Sequence, residues 1–136
     1  MGLPNINITF YILAKALSSR SGKGTLAVIL KDTAAGEYTL YSAADIPASL
    51  SDANKTYLSR AFLGNVTGPE KILCKVLTSS AAISTGLSWA ETQTFDYLVG
   101  PPDLASSDAT AVVTWIKAQR AAGRKSKAVL ADSAAD

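Results

Sequence analysis

The chain has no histidine among its 136 residues. That removes the commonest general base, the commonest metal ligand and the usual partner of a serine or cysteine nucleophile. Cysteine occurs once, at Cys74. No internal disulfide can form, so no oxidising compartment is implied. Aromatic residues are few, at 7%. Neither sign of charge dominates: 13 Lys and Arg face 11 Asp and Glu, for a net charge of +2. A balance this small implies neither nucleic acid nor an anionic membrane as partner. Long apolar runs are also missing. Near the N-terminus the longest is Phe10 to Ala14, far short of the ~20 residues that span a bilayer. No basic segment precedes it, as one would in a secretory leader. The sequons at Asn7, Asn54 and Asn65 are therefore read as chance, and the protein as made and kept in a cytoplasm.

What is present is globular in composition, with 48% hydrophobic and 18% charged residues. The length suits one domain that buries roughly two thirds of its unfolded surface. Residues 1–23 stand apart. Asn5-Ile6-Asn7-Ile8-Thr9-Phe10 alternates polar and apolar, the period of a half-buried strand. Ser18-Ser19-Arg20-Ser21-Gly22-Lys23-Gly24 follows as a flexible polar linker. The chain thus opens with a strand-capable arm on a tether. Such an arm pairs with its own sheet or with the edge of a neighbour's.

Thr25 to Leu30 is nearly all apolar, the mark of a buried strand. Ala34-Ala35-Gly36 then turns the chain into Glu37–Tyr41, a second strand expected to form a hairpin with the first. Ser51 is expected to cap a helix whose apolar face is Leu50, Ala53, Tyr57, Leu58, Ala61 and Phe62, and which stops at Gly64. From residue 69 the pattern is regular. Lys71–Leu77 is a strand, and Ser80–Gln93 a helix with Ile83, Leu87 and Ala90 on one side. Phe95–Val99 is a strand ended by Gly100-Pro101-Pro102. Ser106 or Ser107 caps the next helix, which turns Val112, Val113 and Ile116 inward and ends at Gly123. Lys127–Leu130 is the last strand. The expected fold class is α/β: an arm and a β-hairpin, then a β-α-β-α-β doubly wound parallel sheet. A buried parallel strand calls for a covering helix. None follows Leu130, so the sheet is expected to continue in polypeptide beyond this sequence.

Several motifs invite a chemical reading and fail it. Gly22-Lys23-Gly24-Thr25-Leu26-Ala27 fits the loose dinucleotide fingerprint, with Asp45 about 20 residues on. That mechanism needs a helix after the glycines so that its N-terminus meets the pyrophosphate. Here a strand follows. Cys74 lies mid-strand with no histidine to activate it, and reads as a core thiol. The carboxylates are scattered singly, and no cluster has metal-ligand spacing. Arg120, Arg124, Lys125 and Lys127 suit the negative end of a helix dipole. Trp89 and Trp115 read as packing residues. No catalytic, cofactor-binding or metal residue is assigned.

Several stretches, in order along the chain, carry a resemblance. They are Met1-Gly2-Leu3-Pro4-Asn5-Ile6-Asn7-Ile8-Thr9-Phe10, Gly24–Asp32, Phe62-Leu63-Gly64, Pro69-Glu70-Lys71-Ile72-Leu73, Phe95–Val99, Val113-Thr114-Trp115-Ile116-Lys117 and Lys127–Leu130. Together they resemble the N-terminal portion of contractile tail sheath proteins of the Gram-positive myophage and defective-prophage type. Tyr11 to Leu17 departs from that pattern in being more apolar than a tether.

The resemblance implies a structural subunit that polymerises in helical or ring stacks around an inner tail tube, and contraction that drives the tube through the cell envelope. Its partners would be neighbouring sheath subunits, the tube protein, the baseplate and the tail terminator, with no nucleic acid and no membrane insertion. Its place would be the virion, after assembly in the host cytoplasm. Residues 1–23 would be the arm and linker, 24–68 a hairpin and helix within a sheath core domain, and 69–136 an incomplete α/β domain. Ile6, Ile8 and Phe10 would lie on the strand that adds to a neighbouring subunit. Two alternatives remain open at this point. One is a doubly wound nucleotide- or small-molecule-binding domain, the other a monomeric adaptor whose arm folds back on its own sheet.

Overall fold

The computed structural model describes residues 24–64 and 67–131. Five strands form one sheet: β1 (Thr25–Asp32), β2 (Gly36–Leu40), β3 (Lys71–Thr78), β4 (Tyr97–Val99) and β5 (Lys127–Val129), in the spatial order β2-β3-β1-β4-β5. Three helices connect them: α1 (Asp52–Leu63), α2 (Ile83–Glu91) and α3 (Ser106–Ala121). β3, β1, β4 and β5 run parallel, and β2 is an antiparallel edge strand.

The centre of the sheet goes to the strands with no polar face. In β1 the run Ala27–Leu30 is buried residue by residue. Ala27 and Ile29 point to one side, where they meet Leu87 and Ala90 of α2, and Val112 and Ile116 of α3. Val28 and Leu30 point to the other, where Leu58 of α1 packs with Ile72, Cys74 and Val76 of β3. Each such side chain, fully buried, contributes ~1.5–3 kcal/mol relative to exposure. The α/β reading with helices on both faces is therefore what forms.

The expected hairpin of β1 with β2 does not form. β3 lies between them, parallel to β1 from Thr25↔Lys71 to Asp32↔Thr78 and antiparallel to β2 from Gly36↔Val76 to Leu40↔Ile72. Residues 33–35 carry the chain across the end of β3. The reason is burial. β3 is apolar on both faces, whereas β2 alternates, with Glu37 and Thr39 exposed. The half-polar strand takes the edge and the two-sided one takes the interior. One sheet thus combines strands from 24–68 with strands from 69–131.

The helix limits follow local chemistry. Ser51 Oγ accepts from Asn54 N at 3.4 Å to cap α1, and Gly64, at φ 58°, ends it. α3 begins earlier than expected. Ser106 is its first residue and the cap is Ala105, which makes no side-chain capping bond. Two positions expected inward face solvent, Val113, at 42% exposure, and Ala53. On α3 the spacing of four that buries Val112 and Ile116 turns Val113 about 100° away. On α1 the buried residues are Asn54 and Leu58, and Leu50, just before the helix, joins the same cluster as Leu58.

α2 lies close on β1 because Gly86 has no side chain. A Cβ there would sit 2.9 Å from Cδ1 and from Cγ2 of Ile29, which is itself fully buried. Gly86→Ala is expected to lower stability by about 1–3 kcal/mol from overpacking, partly offset by the ~1 kcal/mol that alanine gains over glycine in a helix. Urea unfolding checks this. In an Ile29→Ala background, which lacks the obstructing methyls, the same substitution should turn neutral or stabilising.

Candidate functional site

Open α/β sheets take ligands beyond the carboxyl ends of their strands, where successive connections leave to opposite faces. Here that point lies between β1 and β4. The chain leaving β1 leads through β2 to α1 on one face, and the chain leaving β4 enters α3 on the other. The rim is Asp32 at the end of β1, Thr33 just after it, and Gly100 and Pro101 after β4.

Asp32 fills this crevice from within. It is buried, at 7% exposure. Its Oδ2 accepts from Ser51 N and from Asn54 Nδ2, both at 2.8 Å, and its Oδ1 accepts from Thr33 N at 2.7 Å. Asn54 Nδ2 also donates to Lys31 O at 2.9 Å, and Ser79 Oγ donates to Asp32 O at 3.2 Å. The carboxylate thus receives the N–H of Ser51, the cap of α1, beside the helix N-terminus where a phosphate would sit in a nucleotide-binding relative of this fold. Next to it, Tyr57 OH donates to Gly100 O at 3.1 Å and ties α1 to the end of β4. On the opposite face Lys31 Nζ pairs with Asp108 Oδ2 at 3.2 Å and ties β1 to the first turn of α3. Donors and acceptors at this rim are matched to each other.

The backbone N–H groups of Ser51 and Thr33 and the amide of Asn54 hold the Asp32 carboxyl well below the usual carboxylate range. The sign follows. A depressed folded-state pKa contributes stability above the unfolded value, near 3.9, and that stability is lost as the pH falls below it. Asp32→Asn should therefore flatten the acid limb of the stability curve below about pH 4 and leave the curve above pH 6 parallel to the parent. Thermal melts across pH 2–7 test this. An unchanged acid limb would mean that other carboxylates set it.

The remaining candidates are placed as follows. Cys74 is fully buried on the α1 side of β3, and burial pushes its thiol up to about 12, so it stays protonated at neutral pH. A strand, β1, does follow Gly24. Trp89 and Trp115 are half-buried against the α2–α3 core, and Trp115 Nε1 donates to Glu91 Oε1 at 2.9 Å. Arg120, Arg124, Lys125 and Lys127 gather at the turn from α3 into β5. Ile6, Ile8, Phe10, Asp132 and Ser133 lie outside the described residues. Among the described residues no cluster of three His, Cys, Asp or Glu side chains is placed to hold a metal, and no helix is long and apolar enough to cross a membrane. Asp32 and Asn54 were not singled out from sequence. The signal was there in the spacing of four that sets Asn54 between Leu50 and Leu58.

No protein-family model matches the chain. It is 39% identical over 141 aligned positions to the tail sheath protein of Clostridium phage phiCD119. The alignment covers 99% of this chain and 39% of that protein, so the chain spans about two fifths of the relative's length. The resemblance seen in the residue patterns therefore holds across the alignment, and this chain is, over nearly all of its own length, a relative of a phage tail sheath protein.

Proposed function

We propose that the chain acts in a contractile tail sheath, as a structural subunit or as the part of one matched here. Copies polymerise around an inner tail tube, between baseplate and tail terminator, and contraction of the assembly drives the tube through the cell envelope. Subunits assemble in the host cytoplasm and end in the virion. The observation that carries this reading is the 39% identity to a phage tail sheath protein along 99% of the chain.

The rim of the sheet supports the same reading. A ligand-binding domain of this architecture keeps the helix N-terminus open for its anion. Here Asp32 accepts from the N-cap N–H of Ser51 and from the Asn54 amide, and joins β1 to α1 as part of the fold. That arrangement serves a body that transmits force better than one that exchanges ligand. In this reading residues 1–23 are the arm, and Ile6, Ile8 and Phe10 line the strand that adds to a neighbouring subunit, through main-chain bonds that depend little on sequence.

Antibody raised against residues 24–131 should decorate the tail shaft of phage particles from the producing culture, and the decorated length should shorten when the tails contract. Bare shafts, or label confined to heads, would overturn the assignment. Deleting residues 1–20 should abolish rings and tubes in negative-stain images while the soluble protein keeps its circular dichroism. Unaltered assemblies would remove the arm from the mechanism.

A further inference from the structure

Among the described residues the two most exposed large hydrophobic side chains are Leu63, at 75%, and Tyr41, at 66%. Both stand at one end of the sheet. Leu40 pairs with Ile72, so Tyr41 leaves β2 beside Lys71, the first residue of β3. Leu63 is the last residue of α1, and the carbonyl of its neighbour Phe62 lies so close to Gly68 that a side chain there would overlap it. Gly68 comes just before β3, and the 3-10 turn Ala43–Asp45 after Tyr41 contacts α1. Gly24 belongs to the same end, since Glu70 N donates to Gly24 O at 3.0 Å. Ala131, the last described residue, follows the carboxyl end of β5, at the opposite end and on the opposite edge of the sheet.

The sequence supplies an apolar segment next to this end. Tyr11-Ile12-Leu13-Ala14-Lys15-Ala16-Leu17 has Lys15 as its single charged residue, which does not suit a solvated tether. The segment lies outside the described residues, and Ser18–Lys23 joins it to Gly24. Six residues reach up to ~20 Å when extended. β2 lies two strand spacings from β1, ~10 Å. The linker is therefore long enough to bring the segment to Tyr41 and Leu63 of its own chain. A short flexible linker also holds it there at roughly millimolar effective concentration, ahead of the same segment from a second copy in dilute solution.

We infer that Tyr11–Leu17 seats on the apolar end formed by Tyr41 and Leu63 of the same chain. The arm is then anchored at its root by side-chain burial, and residues 5–10 leave the domain from a fixed place rather than from the end of a free tether. The seating is intramolecular and belongs to the single chain, whatever larger structure that chain joins. It gives a use to an apolar stretch and to two exposed side chains that neither the sheet nor its helices employ.

Lys15 lies inside the segment and Arg20 in the linker, so limited trypsin digestion of the full 136-residue chain reads the seating directly. Mass spectrometry follows cleavage after each residue, and a synthetic peptide of residues 1–24 gives the unprotected ratio of the two rates. In the full chain, cleavage after Lys15 relative to Arg20 should be about tenfold slower than in the peptide, because the protease cuts only the opened fraction. Tyr41→Ser/Leu63→Ser should return the ratio to the peptide's value with circular dichroism and melting temperature unchanged, since both side chains are already exposed. Leu63→Met, which keeps an apolar surface, should keep the protection. The inference is overturned if the parent chain gives the peptide's ratio, or if the double variant stays protected. It is also overturned if protection falls on dilution, which would assign the seat to the segment of a second copy.

Discussion

Strand β1 has no side it can show to water: Ala27 and Ile29 pack under α2 and α3, and Val28 and Leu30 pack under α1. A strand of that kind has to sit inside a sheet covered on both faces. Most of the architecture follows from it. β3, also apolar on both sides, becomes its long parallel neighbour through eight paired residues. β2, half polar, is displaced to the rim. Gly86 lets α2 approach β1 closely enough for Ile29 to be fully enclosed.

The end of β1 carries the complementary polar constraint. A two-sided apolar strand leaves its face-to-face packing at Asp32, where the chain must satisfy buried backbone groups. Asp32 meets the N-terminus of α1 and the amide of Asn54 there, so a single carboxylate both ends the strand and receives the helix. In many sheets of this class the same position is left for a bound anion. Using an internal one fixes α1 to β1 without any ligand. Because the carboxylate is ionised well below its ordinary range, the join is kept through the neutral pH range.

Those features of the fold that depend on periodicity and burial were legible in the residues. Continuous apolar runs located β1 and β3, Ser51 and Gly64 located the limits of α1, and the repeat after residue 69 located the α/β units. Features that depend on competition between elements were not. Glu37–Tyr41 had every local mark of a hairpin partner, yet β3 outcompetes β2 for the place beside β1, because more apolar surface is buried that way. Val113 looked inward because it is apolar, but the geometry of α3 selects only Val112 and Ile116. Asp32 and Asn54 escaped notice because each is ordinary alone. Their role exists only once 22 residues of chain have brought them to 2.8 Å.

Closure at the strand ends shifts the question of recognition to the sides of the sheet. The two edges are unlike. β2 is guarded: its exposed Glu37 pairs with Lys75 of β3, a balanced pair on a half-polar strand. β5 carries Lys127, which lies over the Tyr97 ring at 5.5 Å, and its Val129 is exposed among the described residues. Lysines on an edge strand guard against pairing with a like-charged copy of the same chain. Among the described residues, then, the two outer strands of the sheet differ in direction and in the polarity of what they expose.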